Sequence, residues 1–343
     1  MFGKFMNNYY YGKAGKGDYN KENLPKNRWQ LFWEMLRIRF SGLFQLNLIA
    51  AIFFIPLFYA IAKGFEGLFS LAQLIVTVQQ GGESITPEIS AIAENSGLHV
   101  YAILFRICVW LIPCILITGP AQAAMSYVTR NWARDEHAFV FSDFKDAFKS
   151  NWKQSLAISG ITSLVPLIML MSWQFYGRMA QNSAFYVIPQ VFAIIVGFIW
   201  LLALPYTYPM IVTYKMTIGQ IIKNSVLLAI AKLPQNIGVR LAMLVPTFIV
   251  ALISLYTPYA LFALMFLGGY YFLLGNALAR FVYASYTNGV FDKYINAKIP
   301  GAQVNRGIVT EEDLEEWEDE LHDETDDDNN FHSSPFDDSG SII

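Results

Sequence analysis

Six apolar runs, each about as long as a bilayer core is thick, limit what this chain can fold into. They cover residues 43–61, 107–125, 155–173, 185–205, 239–256 and 260–281. A helix rises about 1.5 Å per residue, so about 20 apolar residues cross the hydrocarbon core. Only 15% of the 343 residues are charged, against about 25% in a soluble domain. The sequence therefore predicts an all-α, polytopic membrane helical bundle with about six transmembrane helices and cytoplasmic amphipathic helices.

The charges of the connecting segments predict how these helices are oriented. The 126–154 and 206–238 connections carry five and three lysines or arginines, whereas the 62–99 and 174–184 connections carry one each. Basic connections stay on the cytoplasmic side of a membrane. We therefore expect a multi-pass protein of the plasma membrane with both termini in the cytoplasm.

The two ends of the chain differ in charge and divide it into three predicted parts. Residues 1–41 carry eight basic residues and an amphipathic stretch that predicts an interfacial helix, and residues 42–308 form the transmembrane domain. Residues 311–338 hold 15 acidic residues and no basic ones, so 309–343 is predicted to be a disordered cytoplasmic tail. Trp317 lies on a possible helical face of this tail and is a candidate partner contact. The alternative is a solvated tail lying against the basic cytoplasmic face.

A helix over residues 141–154 is predicted to carry two rows of side chains between the second and third runs. The aromatic row is Phe144, Phe148 and Trp152, and the lysine row is Lys145, Lys149 and Lys153. The two rows lie about 100° apart on a helix, so the rings could enter the acyl boundary while the ammonium groups reach the lipid phosphates. The alternative is a helix that docks on the protein's own membrane core.

A second amphipathic helix is predicted over residues 217–233, following the fourth run. Thr217 can cap this helix, Pro234 can close it, and Lys223 lies on its polar side. Both helices are candidate contact surfaces for a partner. The apolar stretch 65–78, within the 62–99 connection, is either an extension of the first membrane helix or an extracytoplasmic interfacial helix.

Few residues of the chain suggest chemistry, and we expect neither an enzyme nor a bound cofactor or metal. Its four histidines are isolated, and none of the common hydrolase, nucleotide-binding or zinc motifs occurs. Nothing indicates a nucleic-acid partner. The intramembrane polar side chains are chiefly Asn47, Gln122 and Asn276, which either hydrogen-bond between helices or line a solute path. Arg240 and Arg280 lie near the ends of their runs and are expected to extend to the interface.

Two strings around the 126–154 connection resemble the YesL-like family of bacterial membrane proteins, a domain of unknown function. The T-G-x-x-x-A-A string is matched from Thr118 to Ala124, and the DF-x-x-x-F-x-x-N-x-K/R-Q string from Asp143 to Gln154. The resemblance covers roughly residues 30–300 and departs at the 62–99 connection and at the acidic tail. Both strings are structural rather than catalytic, so no site residues carry over.

The resemblance implies a role in carbohydrate uptake, because YesL-like proteins occur largely in Gram-positive bacteria, often beside carbohydrate ABC importers. We therefore expect a non-enzymatic accessory or regulatory subunit that contacts the permease or ATPase subunits of such a system, besides the lipid bilayer. The alternative function is a channel or facilitative carrier for a neutral solute. Proline-broken spans and a weak internal duplication favour that alternative.

Overall fold

The computed structural model describes residues 24–80, 86–257 and 259–309. The chain divides into a terminal unit, Met1–Glu34 with Asn305–Ile343, and a larger unit, Met35–Val304. In the terminal unit, the amide of Val309 donates to the carbonyl oxygen of Pro25 at 3.1 Å. The acidic stretch with Trp317 lies outside the described residues.

The described residues are almost entirely helical and contain no strand. The helices are α1 (Arg28–Gln79), α2 (Pro87–Glu94), α3 (Ser96–Trp132), α4 (Val140–Ala180), α5 (Val187–Thr213), α6 (Ile218–Ala231), α7 (Leu233–Tyr256), α8 (Ala260–Tyr270) and α9 (Asn276–Tyr294). A π-helical turn, Tyr271–Gly275, joins α8 to α9. In the described ranges, six stretches are long and apolar enough to cross a membrane: α1, α3, α4, α5, α7, and α8 together with α9. The predicted all-α membrane bundle is therefore confirmed.

Several helices are much longer than the apolar runs within them. With 52 and 41 residues, α1 and α4 are about 78 and 62 Å long, whereas the hydrocarbon core is about 30 Å thick. The 65–78 stretch extends the first membrane helix, as one of the two interpretations held. The segment 141–154 is helical, as predicted, and it forms the first part of α4. No glycine or proline stands between it and the apolar run, so nothing ends the helix.

Side-chain hydrogen bonds cap the starts of α4 and α6, the helices of the two basic connections. The carboxylate of Asp143 accepts a hydrogen bond from the Phe139 amide at 2.8 Å, at the start of α4. Thr217 and Gln220 form the capping box that begins α6, so the predicted Thr217 cap is confirmed. Pro234 lies in the first turn of α7, where a missing N–H costs no hydrogen bond.

The backbones of α3 and α4 approach closely at Gly119. A Cβ atom built on this residue would lie 2.3 Å from Oγ of Ser159 and 2.5 Å from the carbonyl oxygen of Ser155. Oγ of Ser159 donates to the carbonyl oxygen of Leu116 at 2.8 Å. Small residues let membrane helices pack this closely, where backbone carbonyls become reachable partners. Gly64 plays the same part between α1 and α3, opposite Ile107.

Candidate functional site

The basic end of the bundle is the end where α3, α5 and α9 finish and α4 begins. Contacts between residues far apart in sequence define it. Arg130 donates to the carbonyl oxygen of Val212 at 3.2 Å, and Nε2 of Gln154 donates to the carbonyl oxygen of Met216 at 3.0 Å. Nδ2 of Asn288 donates to the carbonyl oxygen of Arg130 at 3.4 Å. Most of the predicted partner contacts lie at this end.

Two members of the aromatic row of α4 pack against the rest of the protein, with Phe144 buried and Phe148 half-buried. Phe144 is only 5% exposed, and the ring of Phe148 lies 5.2 Å from that of Phe53 on α1. Trp152 remains 46% exposed. This is the arrangement of the alternative interpretation, in which the segment docks on the membrane core, so only Trp152 is left for an outside partner.

The lysine row of α4 is open along its length. Lys145, Lys149 and Lys153 are all exposed, and Nζ of Lys153 lies 5.6 Å from the ring centre of Trp152. Lys223 on α6 is exposed as well. The structure thus places three regularly spaced cations and one tryptophan on a single helix surface.

The remaining polar residues of the second string stabilise the fold. Nδ2 of Asn151 donates to the carbonyl oxygen of Ala147 at 3.0 Å, and Gln154 connects α4 to the end of α5, as noted above. Asp143 caps α4. These side chains are engaged within the protein, so they leave the lysine row and Trp152 as the accessible part of this segment.

A buried tyrosine network connects α5, α7 and α9. The hydroxyl groups of Tyr206 and Tyr286 both donate to Oδ1 of Asn236, at 2.6 and 2.8 Å, and the two hydroxyls lie 3.2 Å apart. Nδ2 of Asn236 donates to the carbonyl oxygen of Ala229 at 2.9 Å. Every polar atom of this amide therefore has a partner, which favours a single packing of the three helices.

Next to this network, Tyr214 stands just beyond the end of α5. Its hydroxyl donates to Oδ1 of Asn296 at 2.7 Å, and Nδ2 of Asn296 donates to Asp292 at 2.6 Å. Burial, together with the nearby Asp292 carboxylate, raises the pKa of Tyr214. The phenol therefore stays protonated as a hydrogen-bond donor.

Asn47 and Asn276 both serve the π-helical turn between α8 and α9. Nδ2 of Asn47 donates to the carbonyl oxygens of Tyr271 and Phe272 at 3.0 and 2.6 Å, and its Oδ1 accepts from the Ala277 amide at 2.8 Å. Nδ2 of Asn276 donates to the Tyr271 carbonyl at 3.0 Å. A π-turn displaces backbone groups from their usual partners, and other groups must replace those partners in a membrane. Asn47 thus hydrogen-bonds between helices, whereas Asn276 hydrogen-bonds within its own helical segment.

Gln122 has a partner that sequence reasoning missed. Its Nε2 donates to Oγ1 of Thr118 at 2.8 Å, and its Oε1 accepts a hydrogen bond from Nη2 of Arg280. The guanidinium carbon of Arg280 lies 4.9 Å from the ring centre of Tyr208. Arg280 therefore points toward α3 and α5, and the expectation that it extends to the interface is wrong.

Arg240 on α7 is half-buried and contacts α5 and α9. Its Nη2 donates to the carbonyl oxygen of Leu201, and its Nη1 donates to the hydroxyl of Tyr283 at 3.3 Å. Inserting an arginine at the centre of a membrane helix costs about 2.5–3.5 kcal/mol. The signal in the sequence was that Arg280 falls inside its apolar run, but the run does not reveal which helices lie alongside.

A surface groove of about 330 Å³ lies between α1 and α3, at the opposite end from the lysine row. Lys63, Glu66, Arg106 and Trp110 are among its lining residues, and Lys63 pairs with Glu66 at 2.6 Å. Asn47, Gln122 and Asn276 do not line this groove. The described residues contain no group of three or more histidine, cysteine or acidic residues able to hold a metal ion.

Comparison with known proteins identifies one matching stretch. A family model described as "Protein of unknown function, DUF624" matches residues 98–173. Neither a curated protein nor a solved structure matches the chain. The matched stretch contains both strings of the resemblance and covers most of α3 and α4, less than the predicted 30–300. Over the packed helix pair that contains Gly119 and the lysine row, the chain is thus similar to a family of unknown function.

Proposed function

We propose that this protein is a non-enzymatic accessory subunit of a membrane assembly and that the lysine row of α4, with Trp152, contacts the partner. One observation carries the proposal: Lys145, Lys149 and Lys153 are all exposed, whereas the aromatic residues beside them, Phe144 and Phe148, pack inward. Internal packing therefore fixes the helix and leaves the cations accessible.

The chemistry of this surface favours an acidic partner. Three ammonium groups spaced one helical turn apart can each meet a carboxylate, and the adjacent exposed indole adds apolar contact area. At an interface, such charges determine orientation and association rate more than affinity. Lys223 on α6 is a further contact of the same sign.

The resemblance to YesL-like proteins directs the proposal to one kind of assembly. We propose that the partner is a permease or ATPase subunit of a carbohydrate ABC importer, met on the cytoplasmic side of the plasma membrane. The positive-inside rule supports this side, because the lysine row belongs to the most basic connection. The DUF624 match supports the resemblance over the helices that form the surface.

Affinity purification from native membranes tests the proposal. The full-length wild type is compared with Lys149→Glu, in the middle of the row, and with Lys298→Glu, an exposed lysine on the short helix after α9. We expect the wild type and Lys298→Glu to recover permease or ATPase subunits and Lys149→Glu to recover at least fivefold less. Recovery of no importer subunit by the wild type would contradict the partner, and equal recovery by all three would contradict the surface.

The alternative function, a channel or carrier for a neutral solute, has less support. Two of the side chains that suggested a solute path, Asn47 and Asn276, form hydrogen bonds with backbone groups of the π-turn. The third side chain, Gln122, forms hydrogen bonds with Thr118 and Arg280. Solute uptake by liposomes containing the purified protein would restore the alternative.

A further inference from the structure

We propose that Arg240 and Arg280, together with Tyr208, bind a phosphate group within the membrane bundle. This inference is independent of the proposed accessory role. It begins from two cations that have no acidic partner within the described residues. Among those residues, each guanidinium group makes hydrogen bonds to neutral groups, namely Gln122 for Arg280, and Leu201 and Tyr283 for Arg240.

The two arginines occupy adjacent parts of one site. Arg240 donates to the hydroxyl of Tyr283 and lies 5.5 Å from the centre of its ring, and Tyr283 stands one turn after Arg280 on α9. The contact with Tyr283 therefore holds Arg240 against the same part of α9 that carries Arg280. No carboxylate among residues 24–80, 86–257 and 259–309 forms an ion pair with either arginine. An anion bound by both guanidinium groups would supply the negative charge that these carboxylates do not.

Further donors in the site lack acceptors. The hydroxyl of Tyr208 and Nε of Arg240 are both buried, and neither has a hydrogen-bond partner in the part of the chain that the structure describes. Arg280 uses one of its five N–H groups, in the bond to Gln122. A protein interior rarely leaves buried donors unused, so these donors indicate a missing acceptor.

The chemistry of these donors selects the ligand. Guanidinium groups recognise phosphate through paired N–H···O bonds, and a phenol hydroxyl adds a third donor. Arg280 lies about 20 Å along the helix axis from Lys293, so the site lies deeper in the bundle than its basic end. Its occupant is a phosphate group, which either a lipid headgroup or a free phosphate ion can supply.

The test uses the purified full-length protein in a neutral detergent and follows its thermal unfolding. One arm titrates inorganic phosphate against chloride at equal ionic strength. The other compares phosphatidic acid with diacylglycerol carrying the same acyl chains, so that the two lipids differ in the phosphate alone. Stabilisation by phosphatidic acid alone assigns a lipid headgroup, and stabilisation by inorganic phosphate assigns the free ion. Stabilisation by neither overturns the proposal.

Substitutions locate the binding. We expect Arg280→Gln to weaken phosphate binding at least tenfold, whereas Arg178→Gln, an exposed arginine at the end of α4, leaves it unchanged. Tyr208→Phe keeps the ring under Arg280 and removes a hydroxyl that no protein group uses, so the unliganded protein should fold normally. We expect it to weaken binding about fivefold. Wild-type binding in both Arg280→Gln and Tyr208→Phe would overturn the assignment.

Discussion

Replacing Asn47 by leucine tests what stabilises the π-helical turn between α8 and α9. Leucine has the same number of heavy atoms and the same branching at Cγ, so the substitution removes the hydrogen bonds while largely keeping the shape of the side chain. The Asn47 side chain makes three hydrogen bonds to backbone groups of the π-turn and α9, and the residue has no exposed surface. The backbone groups would lose partners that water cannot replace at this depth.

The structure sets the magnitude of this effect. Hydrogen bonds between membrane helices contribute about 0.6 kcal/mol each on average and about 1.7 kcal/mol at most. Three bonds therefore predict that Asn47→Leu lowers the free energy of unfolding by about 2–5 kcal/mol. Asn276→Leu is the matched control, because Asn276 makes one bond to a carbonyl that Asn47 also contacts. We expect that control to lose about 0.6 kcal/mol or less.

Equilibrium unfolding in bicelles, for instance by steric trapping, measures both variants and the double variant. The double variant should lose more than the sum of the two, because the Tyr271 carbonyl then has neither side-chain donor. Hydrogen exchange should also accelerate at the Ala277 amide in Asn47→Leu, since that amide loses its side-chain acceptor. If Asn47→Leu stays within about 0.5 kcal/mol of wild type, the π-turn does not depend on this side chain and the reasoning is refuted.

Three further substitutions probe the packing and capping of the bundle by the same unfolding measurement. Gly119→Ala should cost about 1–3 kcal/mol, because its Cβ would lie 2.5 Å from the α4 backbone. Gly160→Ala is its control across the same helix pair, where the Cβ has 3.4 Å of room, and equal losses would argue against a close crossing. Thr217→Ala should cost about 1 kcal/mol by removing the α6 cap, whereas Thr217→Ser should retain it. Tyr206→Phe should cost about 1 kcal/mol by leaving the Asn236 amide with one tyrosine donor, and an unchanged stability would contradict the network.

The matched family segment has a physical explanation in the structure. Residues 98–173 contain both the close crossing at Gly119 and the inward-packed Phe144, so the two strings of the resemblance describe how α3 and α4 fit together. The lysine row lies on the other side of α4, where packing does not constrain it. A functional contact is therefore better sought at Lys149 than at the residues that fix the helix pair.

The sequence by itself determined the membrane class, the number of spans and the Thr217 cap. Hydropathy and capping depend on residues within one or two dozen positions of each other, so they can be read along the chain. The continuity of 141–154 with the third span was also readable, because no residue there breaks a helix. The predicted boundary followed the change in polarity, but a helix ends where its backbone bonds end.

Only the tertiary structure decided what Asn47, Gln122, Arg240 and Arg280 do. Asn47 meets a carbonyl 224 residues away, and Gln122 meets Arg280 158 residues away. The apolar runs specify that helices cross the membrane and leave open which faces become neighbours. An arginine near the end of a run can extend to the interface or turn inward, and the choice depends on the groups that neighbouring helices offer it. Here Arg240 donates to the carbonyl oxygen of Leu201 and to the hydroxyl of Tyr283, and Arg280 donates to the side-chain amide oxygen of Gln122.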